Sequence, residues 1–202
     1  MEFFKKSKFI KSIANIKDKP TTNYDEVVFV GKSNVGKSSL INGLTNNSKL
    51  AFTSSKPGHT RLLNYYLIDD YFYFVDCPGY GFSAKKDVDY KFYGDLIESY
   101  FEDNKNLKLI VFLLDSRHEP TKDDVDFFNF LKEFNYNFVL IMTKCDKLNQ
   151  SMRSKITSNL TSKLGDISDL EIILTSSETK FGLEILKNLI QTHVKEQNYD
   201  NR

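Results

Sequence analysis

Nine residues, GKSNVGKSS from Gly31 to Ser39, limit what this chain can fold into more than any other stretch. They follow the apolar run Val27 to Val30 and precede Leu40 and Ile41, fitting the pattern G-x-x-x-x-G-K-[ST] of a phosphate-binding loop set between a strand and a helix. Glycines at 31 and 36 let the backbone close around a phosphate chain, with the amides of Lys32, Ser33, Asn34 and Val35 aimed at it. Lys37 brings a point charge to the β- and γ-phosphates and Ser38 a hydroxyl for Mg2+. The helix that starts here, with Ser39 in its first turn, points its positive dipole end at the anion.

At 202 residues the chain is expected to form a single domain over 1–202, large enough to bury about 70% of the surface its unfolded form exposes. The only cysteines, Cys77 and Cys145, each sit inside a motif loop, so they are expected to be isolated, buried thiols in a reducing cytoplasm. The longest apolar run, Leu109 to Leu114, is far too short to span a membrane, and Met1 to Lys8 lacks a secretory apolar region. A soluble, cytoplasmic monomer is therefore expected. Net charge is +1, yet residues 1–19 carry six lysines against Glu2 and Asp18. Such a basic arm over 1–20 either attracts nucleic acid or is a solvated segment docked by Phe9, Ile10, Ile13 and Ile16. The tail over 195–202 is expected to be disordered.

Short β-rich runs alternate with longer segments of helical period, which predicts an α/β fold with a mostly parallel sheet. Strands are expected at Glu26–Val30, Leu62–Ile68, Tyr71–Val75, Leu107–Leu114, Asn137–Met142 and Leu170–Leu174. Only Asp69 and Asp70 separate the second from the third, too few residues for a crossover. These two must pair as a hairpin, giving a six-stranded sheet with one antiparallel strand and helices on both faces. Helices are expected at Lys37–Leu44, around Phe92 to Phe101, from a Thr121–Asp124 cap to Phe134, through Met152, Ile156, Leu160 and Leu164, and at Leu183–Val194. The stretch Thr53–Arg61, TSSKPGHTR, reads as an irregular loop and a candidate switch.

On that strand list the polar motifs all fall at carboxyl ends, which in a parallel sheet form one rim. Asp76-Cys77-Pro78-Gly79 offers a carboxylate for the Mg2+ shell and a glycine N–H that can sense a γ-phosphate. Thr143-Lys144-Cys145-Asp146 has the T-K-x-D form, whose aspartate can accept from both N1–H and the exocyclic amine of guanine. Adenine lacks that donor pair, and an unpaired carboxylate would cost several kcal/mol, so roughly thousandfold discrimination against ATP is expected. That disfavours an ATPase or P-loop kinase. Thr175, Ser176 and Ser177 follow the last strand, where a backbone N–H can reach the guanine oxygen.

GKSNVGKS, DCPG, TKCD and TSSE together resemble the guanine-nucleotide motifs of translation-factor-related GTPases. FVGKSNVGKSSLIN, TSSKPGHTRLLNYY, VDCPGYGFS, LLDSRHEPT and IMTKCDKL are similar to the signature stretches of the EngB-type ribosome-assembly GTPases, a likeness running from about Phe9 to His193. The resemblance implies a Ras-like P-loop fold, binding of GTP or GDP with Mg2+, and a precursor of the large ribosomal subunit as partner, with neither DNA nor membrane involved. It assigns Lys37 and Ser38 to phosphate and metal, Gly58, His59 and Thr60 to the switch, Thr60 and Asp76 to Mg2+ alongside Ser38, and Lys144 with Asp146 to the base. As in that family, Thr143 stands where other GTPases have asparagine.

Tyr80 follows Gly79 where signalling GTPases keep the glutamine that orients water. Intrinsic turnover in such proteins is only about 5 × 10⁻⁴ per second even with that glutamine, so slow basal hydrolysis is expected, carried by Lys37, Thr60, Gly79 and Asn34. Asn34 holds the position some relatives use to ligate K+; the other reading is an Asx contact that stabilises the loop. His59, Arg61, Arg117 and His118 are read as surface or structural residues. A GTP-dependent binding module without significant hydrolysis is the alternative that Tyr80 leaves open.

Overall fold

The computed structural model describes residues 3–52, 62–80, 88–102 and 104–195, with the backbone alone for 88–93 and 195. Its strands are β1 (Ser7–Ile13), β2 (Asp25–Gly31), β3 (Leu63–Ile68), β4 (Phe72–Asp76), β5 (Leu107–Asp115), β6 (Phe138–Thr143) and β7 (Ile172–Leu174). The helices are α1 (Lys37–Leu44), α2 (Val88–Phe101), α3 (Lys122–Glu133), α4 (Gln150–Ser154), α5 (Ile156–Leu164) and α6 (Leu183–Lys195), with short 3-10 turns at Ile16–Asp18 and Cys145–Lys147.

One sheet in the order β1-β3-β4-β2-β5-β6-β7 holds all of the strands. β3 runs antiparallel to both β1 and β4, while β4, β2, β5, β6 and β7 pair in parallel, so β3 is the single reversed strand that the short Asp69-Asp70 connection demands. Successive residues of β2 alternate between two cores: Val28 and Val30 meet Tyr100, Phe128 and Leu160 of α2, α3 and α5, whereas Val27 and Phe29 meet Leu40, Ile41 and Leu186 of α1 and α6. Both faces of the sheet are therefore dry, which is why β2, β5 and β6 read as unbroken apolar runs.

The expected six strands become seven. Residues placed in the basic extension form β1, docked through Ile13, Ile10 and Ile16. Its position is set by the turn beyond β3. Asp69 and Asp70 both adopt positive φ, 47° and 63°, the geometry of a tight hairpin turn. Asp69 then accepts backbone N–H bonds from Phe4 at 2.6 Å and Lys6 at 2.9 Å. A second departure is the helix through Met152, which breaks at Lys155 into α4 and α5. Met152 is 42% exposed, while Ile156, Leu160 and Leu164 are buried, so Met152 shared the spacing of the buried stripe without belonging to it. No helix among the described residues is long and apolar enough to cross a membrane. The tail from 196 onward lies outside them.

Glu26, at the start of β2, is fully buried. It accepts from the Tyr100 hydroxyl at 2.9 Å and the Asn104 amide at 3.1 Å, and the Lys19 ammonium lies 2.7 Å from its other oxygen. Hydrogen bonds to a charged group contribute about 1.5–3 kcal/mol each. Tyr100→Phe, which keeps the ring packing, is expected to lower unfolding free energy by about 1–3 kcal/mol in urea titrations.

Candidate functional site

The loop between β2 and α1 is shaped by its two glycines for different reasons. A Cβ on Gly31 would lie 2.7 Å from the carbonyl oxygen of Leu113, so only glycine lets the end of β2 press against β5. At Gly36 there is open space, but the backbone needs φ of 113° to turn into α1. Lys37, in the first turn, is buried and donates to the carbonyl of Gly31 at 3.3 Å. Burial pushes its pKa down and the nearby Asp76 carboxylate pushes it back up. The loop thus encloses a cation at its centre.

Ser38 donates to Oδ2 of Asp76 at 3.0 Å. Asp76 is only 2% exposed, and among the described residues its Oδ1 has no hydrogen-bond partner. Burial raises its pKa, opposed by Lys37 and by the Ser38 hydroxyl. A half-buried hydroxyl and an orphaned carboxylate oxygen side by side form an oxygen donor set, which suits a hard cation such as Mg2+.

The segment after Asp76 lies directly on the phosphate loop. Ser33 donates through its amide to the Tyr80 carbonyl at 3.1 Å and through its hydroxyl to the Gly79 carbonyl at 3.2 Å. A Cβ on Gly79 would come within 2.7 Å of Ser33 Cα, so glycine permits the close approach here too. Tyr80 is itself buried: its hydroxyl donates to Asp124 at 2.7 Å and its ring stacks on Phe127. Asp124 also accepts from the amide and hydroxyl of Thr121, completing the helix cap expected from sequence, and the Lys32 ammonium reaches Thr121 at 3.4 Å. Sequence inspection found this cap without its second role, which joins α3 to the phosphate loop.

At the other end of the rim, the Thr143 hydroxyl lies 2.7 Å from the carbonyl of Val35 and 3.2 Å from that of Leu114. Lys144, in the left-handed conformation at φ 59°, extends across the loop to the Asn34 carbonyl at 2.8 Å and to Asp115 at 2.9 Å. Arg117 grips the same carboxylate with two donors, at 2.9 and 2.7 Å, giving it the structural role read for it. Cys145 donates its amide to Thr175, and the Asp146 carboxyl is held below its ordinary pKa by the Ser176 hydroxyl and then by Lys147. The Ser176 amide is spent on the Phe181 carbonyl at 3.0 Å, whereas Ser177 is exposed on the cleft wall. Cys77 and Cys145 are free and buried, as expected.

Part of this rim lines a cleft of about 680 Å³, with Val35, Gly36, Ser39, Thr143, Lys144 and Asp146 among its walls. It joins the phosphate loop to the T-K-x-D motif, as one ligand spanning both would require, and its size suits a nucleotide. Gly58, His59, Thr60 and Arg61 lie outside the described residues. Asn34 is exposed with φ of 63°, and its side chain makes no hydrogen bond among the described residues. Sequence inspection also missed Asn42, which donates to the Ala51 carbonyl at 2.9 Å and accepts from the Ala51 amide at 2.7 Å, fixing the chain just before residue 53.

The family described as 50S ribosome-binding GTPase matches residues 26–144. The probable GTP-binding protein EngB of Clostridium kluyveri is 41% identical over 192 residues, 93% of this chain and 95% of that protein. Its counterpart in Clostridium beijerinckii is 44% identical over 186 residues, 92% and 94%. The chain belongs to the EngB family of P-loop GTPases. The fold agrees: a crystal structure of a probable EngB superposes with a TM-score of 0.69 at 24% identity, covering 85% of this chain and 99% of that one. Era in complex with MgGDPNP and a 16S ribosomal RNA segment gives 0.66 at 26% identity, covering 85% and 57%. The family is one of GTP-binding proteins and GTPases.

Burial alone would raise the Asp115 carboxyl, but the bonds from Arg117 and Lys144 bring it down to about 2. A carboxylate with a depressed folded pKa stabilises fully above its unfolded value near 3.8 and loses that contribution as pH falls toward 2. In urea midpoints measured from pH 5 to pH 2, Asp115→Asn is expected to flatten the acid limb of the parent's curve.

Proposed function

We propose that this EngB protein is a nucleotide-dependent switch with slow intrinsic GTP hydrolysis, acting in the cytoplasm in assembly of the large ribosomal subunit. The observation that carries the nucleotide part is the orphaned Asp76 Oδ1 beside Ser38 and the enclosed Lys37, which stands in the chain between Gly36 and Ser39, two residues that line the same cleft as Asp146. Lys37 leaves the Gly31 carbonyl for the β- and γ-phosphates, and the loop amides from Lys32 to Ser39 bind the phosphate oxygens. Ser38 and Asp76 would hold Mg2+, with Thr60, which lies outside the described residues, as the third ligand that the motif assigns. When bound, Mg2+ neutralises charge that develops on the phosphates during transfer. Asp146 accepts from the guanine edge, and Lys144 frames the base.

Hydrolysis is slow in this reading because Tyr80 is committed to Asp124 and Phe127, with no side chain in that position to orient water. Gly79 and Thr60 respond to the γ-phosphate, and Gly79 begins from contact with Ser33. The ribosomal part is supported by the family description and by the RNA-bound Era relative, and the partner is a large-subunit precursor. A second reading, a GTP-dependent binding module without significant turnover, draws on the same Tyr80 geometry. Single-turnover assays with and without ribosomal particles separate the two: stimulated release of phosphate supports the switch, and none at all supports the module.

Asp146→Asn reverses the hydrogen-bonding sense of one carboxylate oxygen and should move preference from GTP to XTP by a factor of about 10³ or more in competition binding. Retained GTP preference in that variant would remove Asp146 from base recognition. For Asn34, hydrolysis is expected to be faster in K+ than in Na+, with the difference abolished in Asn34→Ala. Equal rates in the two salts would remove potassium from the mechanism.

A further inference from the structure

Two loops must keep a fixed spacing for guanine to be read: the one that carries Asp146, and the one that runs from Thr175 past Ser177. In the protein interior they are tied by the Cys145 amide on the Thr175 carbonyl at 3.1 Å, and at the cleft wall by Lys147, which reaches Glu178 at 2.8 Å and Asp146 at 3.0 Å. A third tie comes from behind. Arg153, on α4, donates through Nη2 to the Cys145 carbonyl at 3.0 Å, while its guanidinium carbon lies 5.9 Å from the centre of the Phe181 ring. Phe181 is 52% exposed and belongs to neither core, yet its carbonyl accepts the Ser176 amide at 3.0 Å.

We propose that Arg153 is a positioning residue for base recognition: with one edge and one face of its guanidinium it clamps the Asp146 loop to the Ser176 loop from outside the cleft. The inference rests on the assignment of Asp146 to guanine made above. Arginine is the side chain suited to the task, because its planar fork can donate at the edge while its face lies on an aromatic ring. Lysine, with a compact ammonium, cannot do both at once. The helix break at Lys155 has a consequence here: α4 is a separate turn, capped by Asn149 through the Met152 amide at 2.9 Å, and it carries Arg153 independently of α5. Neither Arg153 nor Phe181 lines the cleft, so the clamp acts on the base only through the loops that it joins.

The test is binding of GDP and of inosine diphosphate to the parent, Arg153→Lys, Phe181→Leu and the double variant, with melting temperatures alongside. Inosine diphosphate lacks only the exocyclic amine, one of the donors that Asp146 accepts. The expected result is a GDP affinity about tenfold lower in each single variant, chiefly through faster release, with a smaller loss for inosine diphosphate, so that the preference for GDP shrinks. The double variant should be no worse than either single one, since both remove one contact, and melting temperatures should stay within a few degrees of the parent. A GDP preference left intact in both single variants, or equal losses for the two nucleotides, overturns the clamp. Equal binding of the two nucleotides by the parent overturns the Asp146 assignment itself, and the clamp with it.

Discussion

A lysine ammonium enclosed by backbone is the constraint around which the rim is built. Lys37 is buried, makes no ion pair among the described residues, and has the Gly31 carbonyl as its bonded acceptor. Desolvating a cation in this way is costly unless compensating charge is close. The fold supplies part of that charge through Asp76, at the end of the strand next to β2, which is near enough to perturb the ammonium's titration. Asp76 is itself under-satisfied at Oδ1. A polyanion with its own cation would complete both groups at once, which is why this pair supports the nucleotide reading.

Around that pair the contacts are redundant in a directed way. The phosphate loop is gripped by Ser33 on the segment after Asp76, by Thr143 and Lys144 on the loop after β6, and by Lys32 on the cap of α3. Each grip joins the loop to a different strand or helix, so displacement of one is felt by its neighbours through hydrogen bonds rather than through loose packing. Tyr80 gives this its asymmetry. Its hydroxyl and ring are both engaged on α3, so the residue that follows Gly79 is anchored there.

Much of this was legible in the chain. The phosphate loop, the hairpin forced by two aspartates, the single reversed strand and the helix from Lys37 to Leu44 follow from spacing and residue type, and the structure reproduces them. What escaped shares a physical cause. β1 is an edge strand whose lysines obscure its apolar residues, and its register is decided by Asp69, a side chain 65 residues from the amide it captures. Asn42, Lys32 and Arg153 each act by bonding to groups that no local period brings near. The helix broken at Lys155 misled by the reverse route, because Met152 keeps the period of a buried stripe while facing solvent. Thr60, named from the motif, lies outside the described residues.

The late capture of β1 bears on how the molecule is made. Residues 7–13 leave the ribosome well before residues 63–68, with which they pair, and before Asp69, which tethers the segment, so this β segment stays unpaired in the nascent chain until about fifty further residues have been synthesised. Pairing at this edge is therefore a non-local event that carries a loop-closure cost, unlike the hairpin of β3 and β4, whose strands a tight turn holds together.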